Sequence, residues 1–576
     1  MCAKQVAKKD TDQSPTLNRR WQDLRLVAAE LKRLRCGALE LCKSILDNRF
    51  IGVASRKFFA DLPQDQRHYW IASLYALLMP PARRRRLAVY FTPPHLARYA
   101  IDVLTEAGVK PGVHRILDPA SGGAAFLVPL ASRIANDGRR RGLTGNDVLC
   151  KVEQTLSGIE VVPDLANLSL SLLTELLSKE MAVAGRRKLQ IRIERANALT
   201  LGGPQEPYDA VIGNPPYGRI FRPSQRLLKD FAPVITDGYV NLYSLFVKRA
   251  LDCVKPGGIV CLVLPLSFIG GSNFSSLRKH ILELARVVRL DPIEKRDDVF
   301  LDVLYDLCVL VLEKKGGQRY YIKPQSSLLT ANQTALELGH LDVPLFPSNR
   351  VWALPDGVQN DLLFENGLET LQDYGYVTKT GYFVWNREKH RYRTGFAVRS
   401  TEVPLFWAHN VRPNALCEPL ADRSGMDHLG FVKIKADNNA VIATDAIILQ
   451  RTSNRRQKRR LIAGIVRRNR VPGRKGFVSE NHTILILPDP KKRQKLSLKT
   501  LCRLLNTEAV DARFRRMSGT VSVSTKALRS LPLPASDEAL KAFAAVASDD
   551  EAAEIAYARS VAGSGTRKSR GHAARS

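Results

Sequence analysis

Between residues 88 and 315, short apolar runs alternate with amphipathic stretches. The runs are "RILDPASGG", "LSGIEVV", "YDAVIGNPP", "GGIVCLVLPLSFI", "ARVVRL" and "LYDLCVLVLEKK". Between them lie segments of helical period such as "PDLANLSLSLLTELLSK", "NLYSLFVKRALDCV" and "FSSLRKHILEL". Apolar runs of strand length separated by helices predict a doubly wound α/β domain with a largely parallel sheet. Ligands bind such sheets beyond the carboxyl ends of the strands, so chemistry is expected just after each run. Residues 21 to 80 ("WQDLRLVAAELKRLRCGALELCKSIL" and onward) keep helical spacing and predict a helical extension. After about residue 320 the rhythm is lost. The expected organisation is a basic tail and helical extension over 1–84, the α/β domain over 85–320 and a mixed α+β domain over 321–545. A tail over 546–576 ends in low-complexity "AGSGTRKSRGHAARS" and is expected to be largely disordered.

Charge changes this picture more than composition does. Lys plus Arg number 88 against 56 acids, a formal net charge of +32. Such an excess points to a polyanionic partner, most often nucleic acid, whose counterions cationic surface releases. The nine cysteines form no C-x-x-C pair, so neither a zinc ribbon nor a disulfide framework is indicated. Cys261 and Cys308 sit in apolar runs and read as core filler. The N-terminus lacks a signal peptide's apolar stretch, and the run 259–269 is too short for a membrane span and contains Pro265. A cytoplasmic, nucleoid-associated protein is expected, with no membrane partner and no metal.

Four strand ends carry candidate chemistry. "ILDPASGGAAF" closes a run on Asp118 and turns through Gly122 and Gly123, where backbone can approach a ligand. It is neither G-x-G-x-x-G nor a P-loop, and alone it fits a plain strand–helix turn equally well. "GIEVVPDLA" ends on Glu160, placed to accept two ribose hydroxyls. "RIERANALTL" offers Asn197, a turn-type residue placed to meet an adenine. After "YDAVIG", Asn214-Pro215-Pro216-Tyr217 makes a stiff corner. Proline lacks the N–H but keeps its carbonyl, and Asn214 adds a side-chain carbonyl. Acceptors converging beside a tyrosine ring suit an exocyclic amine on a planar ring.

The order "YFTPPHLARYAID", "LDPASGGAAF", "GIEVV", "RANALTL", "NPPYG" and "GGIVCLVLPLSFI" resembles the S-adenosylmethionine-dependent DNA methyltransferases. Specifically, it is similar to the gamma-class N6-adenine enzymes of restriction–modification systems. The resemblance covers roughly residues 85 to 320. More loosely, it extends to "ILQRTSNRRQKRRLIAG", "GFVSENHTILILP" and "SGTVSVSTKALRSLPLP" in the C-terminal half. It implies a Rossmann-like methyltransferase domain followed by a DNA target recognition domain, with S-adenosylmethionine as cofactor.

The resemblance also implies roles. Thr92 and Pro93 would help hold the methionine end, with Asp118, Ala120 and Gly122 bordering it. Glu160 would bind the ribose. Asn197 stands where the family often has an aspartate contacting the cofactor's adenine. Asn214, Pro215, Pro216 and Tyr217 would be the catalytic corner, and Asn214 would also border the cofactor. Tyr217 and Phe300 would pack on the flipped base. DNA contacts are expected from Arg219 in the insert after the corner. Two acid-free runs should add Arg451, Arg455, Arg456, Lys458, Arg459, Arg460, Arg467, Arg468 and Arg470. The implied activity is methylation of N6 of a flipped adenine in double-stranded DNA, protecting host DNA, with any cognate nuclease on a separate chain. Rival readings are an N-P-P-Y methyltransferase acting on RNA or protein glutamine, and a non-catalytic DNA-specificity subunit.

Overall fold

The computed structural model describes residues 17–572 apart from 35, 88–90, 204–205, 295–305, 317–322, 331, 345, 349, 356–366, 422–427, 435–437, 453–458, 474 and 519–522. The chain forms two compact units. One comprises Met1–Pro265, Lys279–Lys323 and Ser327–Leu336; the other comprises Leu266–Arg278, Pro324–Ser326 and Glu337–Ser576.

The first unit is built on a mainly parallel sheet. Among the described residues it has nine strands, seven of which are β1 (Ile116–Asp118), β2 (Leu156–Ile159), β3 (Arg192–Glu194), β4 (Tyr208–Gly213), β5 (Val254–Pro265), β6 (Ala285–Pro292) and β7 (Leu307–Lys314). They stand in the order β3-β2-β1-β4-β5-β7-β6. β1 pairs in parallel with β2 and β4, β2 with β3, and β4 with β5. β7 lies antiparallel between β5 and β6. β5 and β7 are almost continuously buried, which explains why their sequences are apolar throughout rather than alternating. The chain order reverses at β1, and that is where a doubly wound sheet opens a crevice at its strand ends.

Local sequence sets the helices that cover the sheet. Thr144 and Asp147 form a capping box that starts the helix Gly145–Thr155. Pro163 and Asp164 open the helix Pro163–Leu176, proline pre-set for the first turn and the acid facing the helix's positive end. Asn241 accepts from the Tyr243 N–H at 3.2 Å and starts Leu242–Cys253. Cys42, Cys253, Cys261 and Cys308 are buried free thiols among these elements.

The N-terminal extension is helical, as expected, over Leu17–Leu31, Ala38–Leu46, Val53–Phe59 and Gln64–Leu78. It belongs to the same compact unit as the sheet rather than standing apart. Polar contacts tie Gln64–Leu78 to Pro163–Leu176. His68 Nε2 lies 2.7 Å from Glu175 Oε2, Gln64 Nε2 donates to the same oxygen at 2.8 Å, and the Tyr75 hydroxyl donates to Asp164 at 3.1 Å. Ala72, on the same helix, abuts Gly123; a Cβ at 123 would lie 2.5 Å from that of Ala72.

The second unit is mixed α+β. One four-stranded antiparallel sheet joins residues 376–380, 483–488, 446–450 and 463–466. Another joins 392–395, 429–433, 402–406 and 478–479. This unit also includes Leu266–Arg278, which lies within the 85–320 span of the expected α/β domain. Fully buried Arg278 anchors it there, donating to the carbonyls of Phe268 (2.7 Å), Gly271 (2.8 Å) and Arg350 (3.1 Å).

The tail expected to be disordered is a helix over Asp549–His572. Three acids fill its first turn, and Ala552, Ala553, Ala556 and Tyr557 are buried in the unit's core. Alanine costs no side-chain entropy in a helix and packs closely, so a small-residue segment orders once it has a face to cover. Tyr557 also donates to the Pro532 carbonyl at 2.9 Å and lies beneath the Arg513 guanidinium at 3.6 Å. Tyr557→Ala is expected to destabilise this unit by about 3 kcal/mol. Urea unfolding measures it, and an unchanged midpoint would mean that the helix adds nothing to the core.

Candidate active site

Three strand ends beside the order reversal converge on one cleft. It spans about 680 Å³, counting space open to solvent, and is lined by Asp118, Glu160 and Asn214 among others. Asp118 ends β1 and Glu160 follows β2, while Asn214 follows β4. Thr92, Ala120, Gly122 and Pro216 also line it. These sequence candidates therefore come together in space, although they are spread over more than a hundred residues of chain.

The turn after β1 is held by carboxylates. Asp118 Oδ1 accepts the Ala120 N–H at 3.1 Å. Glu160 accepts twice, from Gly122 N–H at 2.9 Å and from Val162 N–H at 2.8 Å. Gly122 sits at φ +50°, and its carbonyl accepts from Ser169 Oγ at 2.6 Å. Glu160 thus locks the glycine turn to the β2 loop. A carboxylate has about four lone-pair positions, so capacity for further donors such as ribose hydroxyls remains.

Both acids are buried and their affinity for protons is raised. Burial pushes Asp118 up to about 8; the Ala120 N–H opposes this, and the nearby Glu160 adds to it. Burial also raises Glu160, against the pull of the backbone N–H groups of Val162, Gly122 and Val161. A buried pair of acids favours a cationic ligand, which would restore both charges.

At the corner after β4, Asn214 is fixed from both sides. Its Nδ2 donates to Thr92 Oγ1 at 3.1 Å. The Tyr217 hydroxyl donates to Asn214 Oδ1 and lies 3.1 Å from the Val263 carbonyl. The Tyr217 ring is not the open face that the sequence suggested. It is 8% exposed and meets Tyr243 edge-on at 6.5 Å. Its hydroxyl finds two acceptors inside and draws the ring in, and burial holds its proton well above the usual phenol range.

Other candidates are placed differently. Pro93 caps the helix Pro94–Glu106, and Pro215 is buried; neither lines the cleft. Asn197 is exposed, and its Oδ1 accepts the Leu199 N–H at 3.0 Å, closing its own turn. Its neighbours Ala196 and Ala198 line the cleft instead. Phe300, Arg455, Arg456 and Lys458 lie outside the described residues. Arg219 is exposed, its guanidinium 5.1 Å from the Phe221 ring and 5.0 Å from that of Tyr239.

In the second unit, Arg451 braces the Asn481 carbonyl at 3.1 Å. Arg459 was expected at a DNA surface but pairs with Glu508 at 3.4 Å and Asp550 at 3.3 Å. Arg460 is half-buried, and its N–H is held by Asp511 at 2.6 Å. Arg467 pairs with Asp445 at 2.7 Å. Arg468 and Arg470 are exposed and line a cleft with Lys499.

Sequence reasoning missed Phe91, whose ring lies against the glycine turn, 3.1 Å from where a Gly123 Cβ would be. Its signal was its place immediately before Thr92. It also missed Val161 and Leu165, apolar lining residues flanking the Pro163 helix start.

The Eco57I restriction-modification methylase family model matches residues 161–300. The Type II methyltransferase M.PstI of Providencia stuartii is 25% identical over 342 residues, 58% of this chain and 66% of that protein. The Type II methyltransferase M.BsuBI of Bacillus subtilis is 26% identical over 353 residues, 57% of this chain and 65% of that protein. The matched stretch thus spans slightly less than two thirds of either relative. Among solved structures, a DrdV–DNA complex superposes with a TM-score of 0.52 at 12% identity, covering 92% of this chain and 67% of that one. The DNA-bound ATP-dependent Type ISP restriction-modification enzyme LlaBIII gives 0.51 at 11% identity, covering 91% and 45%. The chain therefore shares a fold with these two DNA complexes over most of its length, and over residues 161–300 it matches the Eco57I restriction-modification methylase family in sequence.

Proposed function

We propose that the chain is a restriction–modification DNA methyltransferase that methylates N6 of adenine in double-stranded DNA, using S-adenosylmethionine. The observation that carries the proposal is the convergence of Asp118, Glu160 and Asn214 on one cleft at the sheet's order reversal. The matched relatives are named as Type II methyltransferases, and the two superposed enzymes were solved with DNA.

The residues present fit the cofactor. Apolar Val161 and Leu165 can flank a purine, Glu160 can accept ribose hydroxyls, and buried Asp118 favours a cationic group. When bound, S-adenosylmethionine supplies an electrophilic methyl. The protein's own work is at the amine. A base inside a duplex must be flipped out, at a cost of a few kcal/mol. Asn214 Oδ1 has two lone pairs, one directed to the Tyr217 hydroxyl, and the second accepts an N6 hydrogen. In this reading the Pro215 backbone carbonyl accepts the other, which requires the incoming base to reach past the cleft lining, since Pro215 itself is buried. Both bonds draw the nitrogen lone pair out of ring conjugation, so it can attack before its proton leaves. Tyr217 and Thr92 keep Asn214 from turning, and the rate gain is orientation and preorganised dipoles.

The test is to incubate plasmid from a methylation-free host with the protein and S-adenosylmethionine, then map modified bases by single-molecule sequencing. N6-methyladenine confined to one short motif is expected. Cofactor binding without modified adenine would redirect the reading to RNA or protein substrates.

Asp118 makes cofactor binding depend on pH. With its pKa near 8 the carboxyl is protonated in the free protein at neutral pH. A cationic ligand binds the ionised form, so binding expels a proton. Affinity is expected to rise with pH, by up to about tenfold per unit, and to level off above about pH 8. Calorimetry in two buffers of different ionisation enthalpy measures the proton released near pH 7. No release would mean that Asp118 is already ionised or does not face the ligand's charge.

A further inference from the structure

The second unit carries an aromatic cluster that the proposed chemistry does not use. Phe383 is fully buried in the core beneath the sheet containing 402–406, with Val403, Leu405 and Val432. Over it lie Trp385, Tyr392 and Trp407. Trp385 meets Tyr392 at 5.4 Å and 71°, and Trp407 at 5.7 Å and 56°. Trp407 in turn meets Phe383 at 5.7 Å and Tyr392 at 5.5 Å, both near perpendicular. An edge-to-face contact with Tyr392 and a tilted one with Trp407 hold the Trp385 indole on one side. Its outer side is open, and the residue is 45% exposed.

The charge around this indole narrows what could cover it. The stretch "WNREKHRYR" from Trp385 to Arg393 holds four Arg or Lys and one acid, Glu388. Arg391 pairs with Glu388 at 2.7 Å and Arg393 with Glu402 at 2.6 Å, while Arg387 and Lys389 are exposed. An apolar protein surface docking here would have to strip water from these cations. A nucleic acid instead brings phosphates to the cations and ring faces to the indole.

We infer that Trp385 is a nucleobase-stacking residue, fixed by the Tyr392–Trp407 pair and flanked by phosphate-attracting Arg387 and Lys389. The inference rests on the reading that DNA is the substrate. In an intact stack a base offers only its edges, so the contact marks a position where the bound DNA is unstacked. A ring already held by its neighbours loses little further freedom when it stacks.

The full-length protein, W385A, W385F and the double variant R387Q/K389Q are titrated with mixed-sequence DNA, as duplex and as single strand. Anisotropy and tryptophan emission are followed at several salt concentrations. W385A is expected to bind about tenfold more weakly with an unchanged salt slope, since stacking is not electrostatic. W385F should keep most of the affinity but lack the indole quenching seen in the wild type. R387Q/K389Q should lower the salt slope and keep the quenching. A wild-type urea midpoint and near-ultraviolet circular dichroism certify that each variant is folded. Wild-type affinity in W385A, or quenching that persists in W385F, overturns the assignment to Trp385. A wild-type protein that binds no DNA at all instead overturns the DNA reading itself.

Discussion

Asn214→Ala is expected to bind S-adenosylmethionine within about twofold of wild type and to transfer methyl groups about 10³-fold more slowly. The substitution removes the side-chain acceptor and leaves the backbone corner. It also removes the partner of the buried Thr92 hydroxyl, while the Tyr217 hydroxyl keeps the Val263 carbonyl. Leaving one buried hydroxyl unpaired costs about 1–3 kcal/mol, which lowers the melting temperature without unfolding the chain. Asn214→Asp separates geometry from mere stability. It keeps an acceptor toward the base, and Thr92 can rotate its hydroxyl to donate, so its loss should be smaller than that of alanine. Single-turnover transfer to plasmid DNA, with cofactor binding measured in parallel, reads both variants. Normal turnover by Asn214→Ala would sink the catalytic assignment, whereas lost cofactor binding would recast Asn214 as a cofactor ligand.

Glu160→Gln is the second large effect, and it acts at the other end of the cleft. The carboxylate receives two backbone N–H groups and donates none. An amide must turn its NH2 toward one of those donors, so one bond becomes a clash and the other loses its charge. Hydrogen bonds to charged groups contribute about 1.5–3 kcal/mol each, so cofactor affinity should fall about 100-fold or more. Equilibrium dialysis measures this directly. Transfer at saturating cofactor should be far less affected than at low cofactor, because the Asn214 corner is untouched. Affinity within threefold of wild type would show that Glu160 neither shapes the turn nor meets the ligand.

These two residues show what is legible in a sequence. Asp118, Glu160 and Asn214 each close or follow an apolar run, and the general rule for doubly wound sheets turns three such ends into one site. What escaped were features with no local signature. The Tyr217 ring turns inward because the Val263 carbonyl, 46 residues away, offers its hydroxyl an acceptor. Asn197 has the polarity of a ligand-reading residue, but the same polarity serves its own turn equally well. Leu266–Arg278 continues directly from β5 in sequence, yet it belongs to the second unit, where its buried arginine bonds to its own segment's carbonyls and to that of Arg350. The tail reads as low complexity because its end, "AGSGTRKSRGHAARS", is made of small and basic residues, although the alanines that precede it are what close packing in the core requires. Arg459 lies in a run without acids, and the acids that meet it come from 49 and 91 residues further on.

The contact between Ala72 and Gly123 bears on how this protein can change. A single added carbon at 123 already meets the methyl of Ala72, so no residue larger than glycine fits there while Ala72 stands opposite. The helical extension and the sheet are thus fitted to each other at this point. A chimaera that took its extension from a relative would have to match residue 72 to the glycine turn that Glu160 holds, a constraint invisible in the linear chain.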